Sequence, residues 1–258
     1  SPVIDHSALG LELYRALRDR QVVAPLNGRV SGITIEDAYQ ISKAMLDHRM
    51  ADGEVVIGKK IGVTSPAVQN MLGVHQPDFG YLTDAMHCTD EISVSEHLIQ
   101  PKAEGEIAFT LKHALRGPGI TPQAVLAATA TVHPCFEVVD SRIRDWKIGI
   151  EDTVADNASS GQFVLGEGVD PQTVDFEDCR MVVTKNGAFL SEGRGRAALG
   201  SPLIAVAWLA NTMGSFGVAL EAGEIILSGS LVPLESVGPG DHMHVSIEGL
   251  GETEVRFT

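Results

Sequence analysis

Asn186-Gly187 stands between two β-like runs, 180–185 and 188–192. Both residues tolerate the positive φ that a two-residue hairpin turn demands, so this stretch predicts an antiparallel strand pair. Runs of similar character follow at 224–230 (EIILSGS), 242–249 (HMHVSIEG) and 252–258 (ETEVRFT), and others precede it at 55–63, 104–111 and 135–139. The 55–63 run, VVIGKKIGV, is broken by glycine. These strands do not alternate regularly with helices as βαβ units do. The expected class is therefore α+β with a mixed or antiparallel sheet, not a doubly wound fold.

Helical signals concentrate before residue 75. Leu9, Leu13, Ala16 and Leu17 recur at helical spacing. Thr34 with Asp37 three residues on resembles a capping box, and Ala38, Ile41, Met45 and Leu46 carry the helix that follows towards Gly53. Ser65-Pro66 starts a short helix that Gly73 ends. Thr121-Pro122 and Ser201-Pro202 open two more by the same logic, the second running to about Met213. The expected organisation is a mainly helical N-terminal region, 1–75, and a catalytic domain, 76–258. No internal repeat or linker interrupts them.

The net charge of -15 argues against nucleic acid, which needs clustered Lys and Arg. No stretch approaches the roughly 18 apolar residues of a membrane span, and the first twenty residues lack the pattern of a signal peptide. Cys88, Cys135 and Cys179 are widely spaced and odd in number, which fits a reducing compartment better than a disulfide framework. A soluble, cytoplasmic protein is expected.

In a strand, alternate side chains share a face. Within 104–111 (EGEIAFTL), Glu104 and Glu106 point one way while Ile107, Phe109 and Leu111 point the other, into a core. Gly105 between them permits a close approach. Glu137 lies in the apolar strand CFEVV, where a carboxylate is costly unless paired, hydrogen-bonded or metal-bound. Three carboxylates without Cys or His suit a hard cation; on spacing alone, an E-x-E on the solvent face of an edge strand is the commoner reading. Lys59-Lys60 should turn one lysine inward, where it can act as acid or base, or both are ordinary surface lysines. Asp78 in QPDFGY suits a turn or a substrate contact. The segment DTVADNASSG at 152–161 suits a ligand loop or a plain connection. His242-x-His244 shares one strand face but lacks a third ligand, so surface histidines are expected.

Taken together, IGKKIGVTSPAVQNMLGVHQPDFGYL, QPKAEGEIAF, CFEVVDSRIRDW, DTVADNASSG, ILSGSLVPLE and PGDHMHVSIEGLG closely resemble the 2-hydroxypenta-2,4-dienoate (2-oxopent-4-enoate) hydratases of meta-cleavage pathways, from about residue 10 to the C-terminus. These belong with the fumarylacetoacetase-like proteins. The resemblance implies a mixed β-sheet roll with flanking helices and a smaller N-terminal region. It implies a Mg²⁺ or Mn²⁺ site on Glu104, Glu106 and Glu137, an active-site lysine at Lys60, the family's aspartate at Asp78, and Ser160 facing the substrate carboxylate. The implied reaction on this small 2-hydroxy/2-oxo acid is hydration to 4-hydroxy-2-oxopentanoate. A homo-oligomer and a complex with 4-oxalocrotonate decarboxylase are implied as partners. Those decarboxylases share the metal ligands, the lysine and the VADNAS block, but PDFGYL and SGSLVPLE follow the hydratase pattern. A third reading, an acylpyruvate-type hydrolase, shares the metal chemistry; its water-activating Glu–His pair has no placed counterpart here.

Overall fold

The computed structural model describes residues 3–258. In chain order the strands are β1 Val56–Gly62, β2 Asp78–Thr83, β3 His87–Cys88, β4 Glu91–Ile92, β5 Lys102–Leu111, β6 Thr129–Val139, β7 Gln162–Leu165, β8 Arg180–Lys185, β9 Ala188–Arg194, β10 Ile225–Ser230, β11 Glu235–Ser236, β12 His242–Ile247 and β13 Gly251–Phe257. The α-helices are α1 His6–Asp19, α2 Ile35–Ala51, α3 Pro66–Leu72, α4 Val94–His97, α5 Pro122–Ala128, α6 Ile150–Ala155 and α7 Pro202–Gly214.

The strands form two sheets. An eight-stranded sheet runs β2-β1-β10-β5-β6-β7-β3, with β11 added on β5, and a five-stranded sheet runs β4-β13-β12-β8-β9. The β1–β10, β3–β7 and β4–β13 pairs are parallel and the rest antiparallel. This is the mixed α+β roll that the short strand runs and the resemblance predict. Asn186 (φ 53) and Gly187 (φ 83) turn β8 into β9. Glycine does not end the 55–63 strand but marks an irregularity in its pairing. A Cβ at Gly58 would lie 1.9 Å from the Ile225 carbonyl oxygen, so β10 can approach only a glycine there.

The two sheets press together over the face of β5 that carries Gly105, Ile107, Phe109 and Leu111. A Cβ at Gly105 would fall 2.6 Å from Met181 Sδ of the small sheet. The close approach that Gly105 permits is thus made by the other sheet. The opposite face of β5 carries Glu104, Glu106 and Ala108, and Ala108 packs with Leu82, Cys135, Phe163 and Leu227 in a smaller apolar cluster.

The helices form where the chain supplies their ends. Thr34 and Asp37 make both bonds of the capping box; Ser65, Thr121 and Ser201 cap α3, α5 and α7, each with proline in the first turn. The stretch Gly195–Gly214 does have the length and mean hydropathy (1.3) of a membrane span, which corrects the expectation that none comes near. Only Pro202–Gly214 of it is α-helical, and that helix buries Ala205, Val206, Leu209 and Met213 in the core. Apolar composition here reflects packing on both flanks. At the N-terminal end α1 packs on α2, and α2 on α6. The loop before α2 is pinned to α6 through Asp152, whose carboxylate accepts from Leu26 N (2.6 Å) and Asn27 N (3.1 Å).

Candidate active site

Antiparallel pairing sets Glu104 directly opposite Glu137, and Cys135 opposite Glu106. Directly paired residues share a face, so the three glutamates converge. One carboxylate oxygen from each lies within 4.8 Å of the other two, and all three side chains are buried. Glu106 Oε1 accepts from Gly229 N–H at 2.9 Å, while Glu106 Oε2 and Glu137 Oε1 have no hydrogen-bond partner. Gly229, at φ 100 and with Thr64 where a Cβ would sit, is a position only glycine fills without strain.

Burial raises the Glu104 carboxyl to about 8, with Glu137 adding to the effect, and burial pushes Glu106 well above the carboxylate range, with Glu137 and Glu104 pushing the same way. Three mutually repelling carboxylates are costly in a dry interior unless a positive charge sits among them. Oxygen-only donors, buried and partly unpartnered, are the donor set of a hard divalent cation, and the residues fit such an ion.

Lys60 supplies one positive charge beside them. It comes from β1 on the glutamate face, with Nζ 2.5 Å from Glu137 Oε2 and donating to the Ala158 carbonyl at 2.7 Å. Burial alone would lower this lysine, but Glu137, Asp78 and Glu104 outweigh it and hold the ammonium above the ordinary range. The Ala158 contact is a hydrogen bond, while the Glu137 contact is an ion pair without hydrogen-bond geometry. Lys59 is buried too, on the other face, bonded to Glu224 at 2.6 Å.

Asp78 begins β2, paired with Gly62 of β1. Its Oδ2 accepts from Thr153 Oγ1 at 2.6 Å, and Oδ1 has no partner. Burial raises its pKa, against the pull of Lys60. A Cβ at Gly62 would stand 2.4 Å from Asp78 Oδ1, so the glycine makes room for the carboxylate.

Lys60, Asp78 and Glu104 line a tight cavity of about 20 Å³, room for one water, and Glu106 and Glu137 stand behind its lining. Its polar floor is Lys60, Asp78, Glu104, Thr153 and Ser159; Val68 and Leu72 of α3, with Trp146 and Leu234, form apolar walls. No histidine and no cation besides Lys60 lines it among the described residues. Ser160 lies outside this lining. Its hydroxyl accepts from Asn157 Nδ2 at 2.9 Å, and its neighbour Ser159 is the serine on the wall.

The 156–160 segment is held by groups the sequence reading did not single out. Asn157, Ala158 and Ser159 all have positive φ (51, 54 and 50). Asn157 bonds both backbone groups of Tyr81, at 2.7 and 2.9 Å. Arg142, fully buried, donates to Asp156 Oδ1 (2.7 Å), to the Asp156 carbonyl (2.9 Å) and to the Ser160 carbonyl (2.5 Å). Burial lifts Asp156 to about 6, against the opposing pull of Arg142. The available signal was a charge among apolar neighbours in each stretch, Arg142 before Ile143 and Asp156 after Val154-Ala155. His242 and His244 sit on the small sheet, partly exposed, beside Glu254 (2.9 Å) and Glu252 (3.3 Å), in keeping with surface histidines.

A two-sheet roll with buried carboxylates on its large sheet marks a class. Residues 64–258 match the profile described as fumarylacetoacetate (FAA) hydrolase C-terminal, and the chain belongs to that family. Within it, the chain is similar to a 2-hydroxypent-2,4-dienoate hydratase of Pseudomonas putida, 65% identical over 214 residues, covering 82% of this chain and 96% of that one. It is also similar to a 2-hydroxyhexa-2,4-dienoate hydratase of Comamonas testosteroni, 56% identical over 253 residues and 96% of each chain. Among solved structures, 4-oxalocrotonate decarboxylase from Pseudomonas putida G7, complexed with magnesium and adipate, matches with a TM-score of 0.94 over 100% of both chains at 33% identity.

Proposed function

We propose that the chain is a divalent-metal-dependent hydro-lyase that hydrates 2-hydroxypenta-2,4-dienoate to 4-hydroxy-2-oxopentanoate in the meta-cleavage catabolism of aromatic compounds. The observation that carries this is the convergence of Glu104, Glu106 and Glu137 beside Lys60, with Glu104 and Lys60 opening on a small apolar-walled cavity. Hydratases at 65% and 56% identity support it over the decarboxylase at 33%, which shares the fold. The cavity lining agrees. The second carboxylate of 4-oxalocrotonate would need a cation, and Lys60 is already committed to Glu137. The lining also lacks a histidine to activate water as in a hydrolase.

Glu104, Glu106 and Glu137 would hold Mg²⁺ or Mn²⁺, the oxygen-only set suiting either. When bound, the cation supplies a Lewis acid for the substrate carboxylate and 2-oxygen. Lys60 holds and returns the proton at the 2-oxygen. Loss of the 2-hydroxyl proton to Lys60 with delivery of one proton to C5 gives the 2-oxo-3-enoate, which is electrophilic at C4. Asp78, fixed through Thr153 and with Oδ1 free, orients the water that adds there. A proton returned to C3 completes addition of one water. Ser160 is retained as a candidate for the substrate carboxylate, acting with Ser159 beside it. The chain divides into a mainly helical region, 1–75, whose β1 is woven into the large sheet, and a catalytic domain, 76–258. A cytoplasmic homo-oligomer, able to associate with a 4-oxalocrotonate decarboxylase, completes the reading; the free Cys88, Cys135 and Cys179 support a reducing compartment.

The test supplies freshly generated 2-hydroxypenta-2,4-dienoate and, separately, 4-oxalocrotonate, each with Mg²⁺. Formation of 4-hydroxy-2-oxopentanoate from the first is expected. CO₂ release from the second without hydration of the first would transfer the chain to the decarboxylases.

A further inference from the structure

A second cavity, of about 200 Å³, lies behind the segment that carries Asn157–Ser160. Arg18 of α1, Arg49 of α2, Arg142 and Gln162 of β7 line it, with His97 and Glu96 beside them. Glu96 is the one carboxylate on this wall among the described residues. The acids that balance the arginines stand away from the lining. Glu54 accepts from Arg49 Nε at 2.9 Å and from Arg18 Nη2 at 2.6 Å, Asp52 accepts from Arg18, and Asp156 accepts from Arg142 Nε.

Two buried polar groups on this wall are incompletely used. Arg49 is 5% exposed, and its Nε alone is bonded; both Nη nitrogens lack a protein partner among the described residues. Gln162 is 7% exposed, and its Oε1 has no partner. A guanidinium offers a two-donor fork that matches a carboxylate, and an amide oxygen asks for a donor such as a hydroxyl. The arginines also repel one another: burial lowers Arg49, and the charges of Arg142 and Arg18 lower it further. An anion among them relieves that cost.

We propose that this cavity is a second binding site, for a small hydroxycarboxylate, with the carboxylate on Arg49 and Arg18 and the hydroxyl on Gln162. The site shares a wall with the reaction centre. Arg142 holds the Ser160 carbonyl, and the same segment offers the Ala158 carbonyl to Lys60. Occupancy of the cavity therefore biases the position of Lys60, and a ligand at either site alters the affinity at the other by the same factor.

The experiment uses 3-hydroxybutyrate as probe and butyrate as its hydroxyl-free control, titrated calorimetrically into chelator-treated protein. The cavity at the reaction centre has room for about one water and is too small for either probe, so binding is read independently of the proposed reaction. One site is expected, preferring 3-hydroxybutyrate. Arg18→Gln should weaken both probes about tenfold, and Gln162→Leu should bring 3-hydroxybutyrate down to the level of butyrate. With Mg²⁺ and substrate, saturating 3-hydroxybutyrate should change kcat in the parent protein and not in Gln162→Leu. No binding, equal binding by all three proteins, or a change of oligomeric state in the variants with binding unaltered would overturn the proposal; the last would make the cavity a contact between copies of the chain.

Discussion

Glu106 is fully buried with one oxygen on Gly229 and the other on nothing. Replacing it with Gln removes a charge that only a cation justifies. Glu106→Gln should lower Mg²⁺ affinity and turnover together, by at least about tenfold to a hundredfold. Lys60→Ala should instead leave Mg²⁺ affinity intact and slow turnover by about 10²–10⁴-fold. Equilibrium cation titration beside steady-state kinetics separates the two; parallel losses in both variants would contradict the division of roles. The pH dependence follows from Glu104, raised to about 8 from an ordinary 4.5 by burial and Glu137. Between those values the folded, metal-free protein keeps a proton that the unfolded chain has released, so its stability falls as pH rises through the window. A cation takes the place of that proton, so Mg²⁺ should bind more tightly at about pH 8 than at about pH 6, releasing protons at the lower pH. Calorimetry in buffers of different ionisation enthalpy checks this, and equal affinity at both pH values would contradict it.

The site is assembled from elements far apart in sequence, and two contacts fix their mutual placement. β1 and β2 pair so that Gly62 lies under Asp78. Gly62→Ala should displace the aspartate and cut kcat about a hundredfold while Mg²⁺ affinity stays unchanged; full activity would remove Asp78 from the reaction. Arg142 ties the end of β6 to the 156–160 turn, and Arg142→Leu strands Asp156 as a buried, unpaired carboxylate. A loss of about 3–5 kcal/mol in denaturant unfolding is expected, and a change below about 1 kcal/mol would show that the pair is dispensable. Much of this architecture is legible in the chain. Caps and prolines mark α2, α3, α5 and α7, Asn186-Gly187 marks its hairpin, and the alternation of 104–111 separates Glu104 and Glu106 from Ile107 and Phe109. The three-residue left-handed turn at Asn157–Ser159 is not legible, because Ala158 carries no local preference for positive φ. Nor is the choice between Lys59 and Lys60. Both are buried, and only the strand pairing decides which faces the glutamates. Gly62 could have been noticed as a glycine inside a strand, but its reason lies sixteen positions away at Asp78.

At the scale of the molecule, one sheet packs its apolar face against a smaller sheet and keeps its other face for charge. Such an arrangement carries three buried glutamates at a cost that the rest of the core covers, and a cation reverses that cost. The small cavity, with room for one water, is walled in part by α3, which is largely exposed apart from Val68. The resemblance read in the sequence extends over the whole roll, which is why the carboxylate set could be named before its geometry was known. Ser160 stands outside the cavity wall that its neighbour Ser159 lines, and its hydroxyl accepts from Asn157. The central claim is that the three glutamates work by holding a divalent cation for hydration. Its most direct test follows the loss of 2-hydroxypenta-2,4-dienoate by chelator-treated protein during a Mg²⁺ titration. Activity absent without the ion and restored in step with its binding is the predicted result; undiminished hydration in the chelated protein would contradict the account.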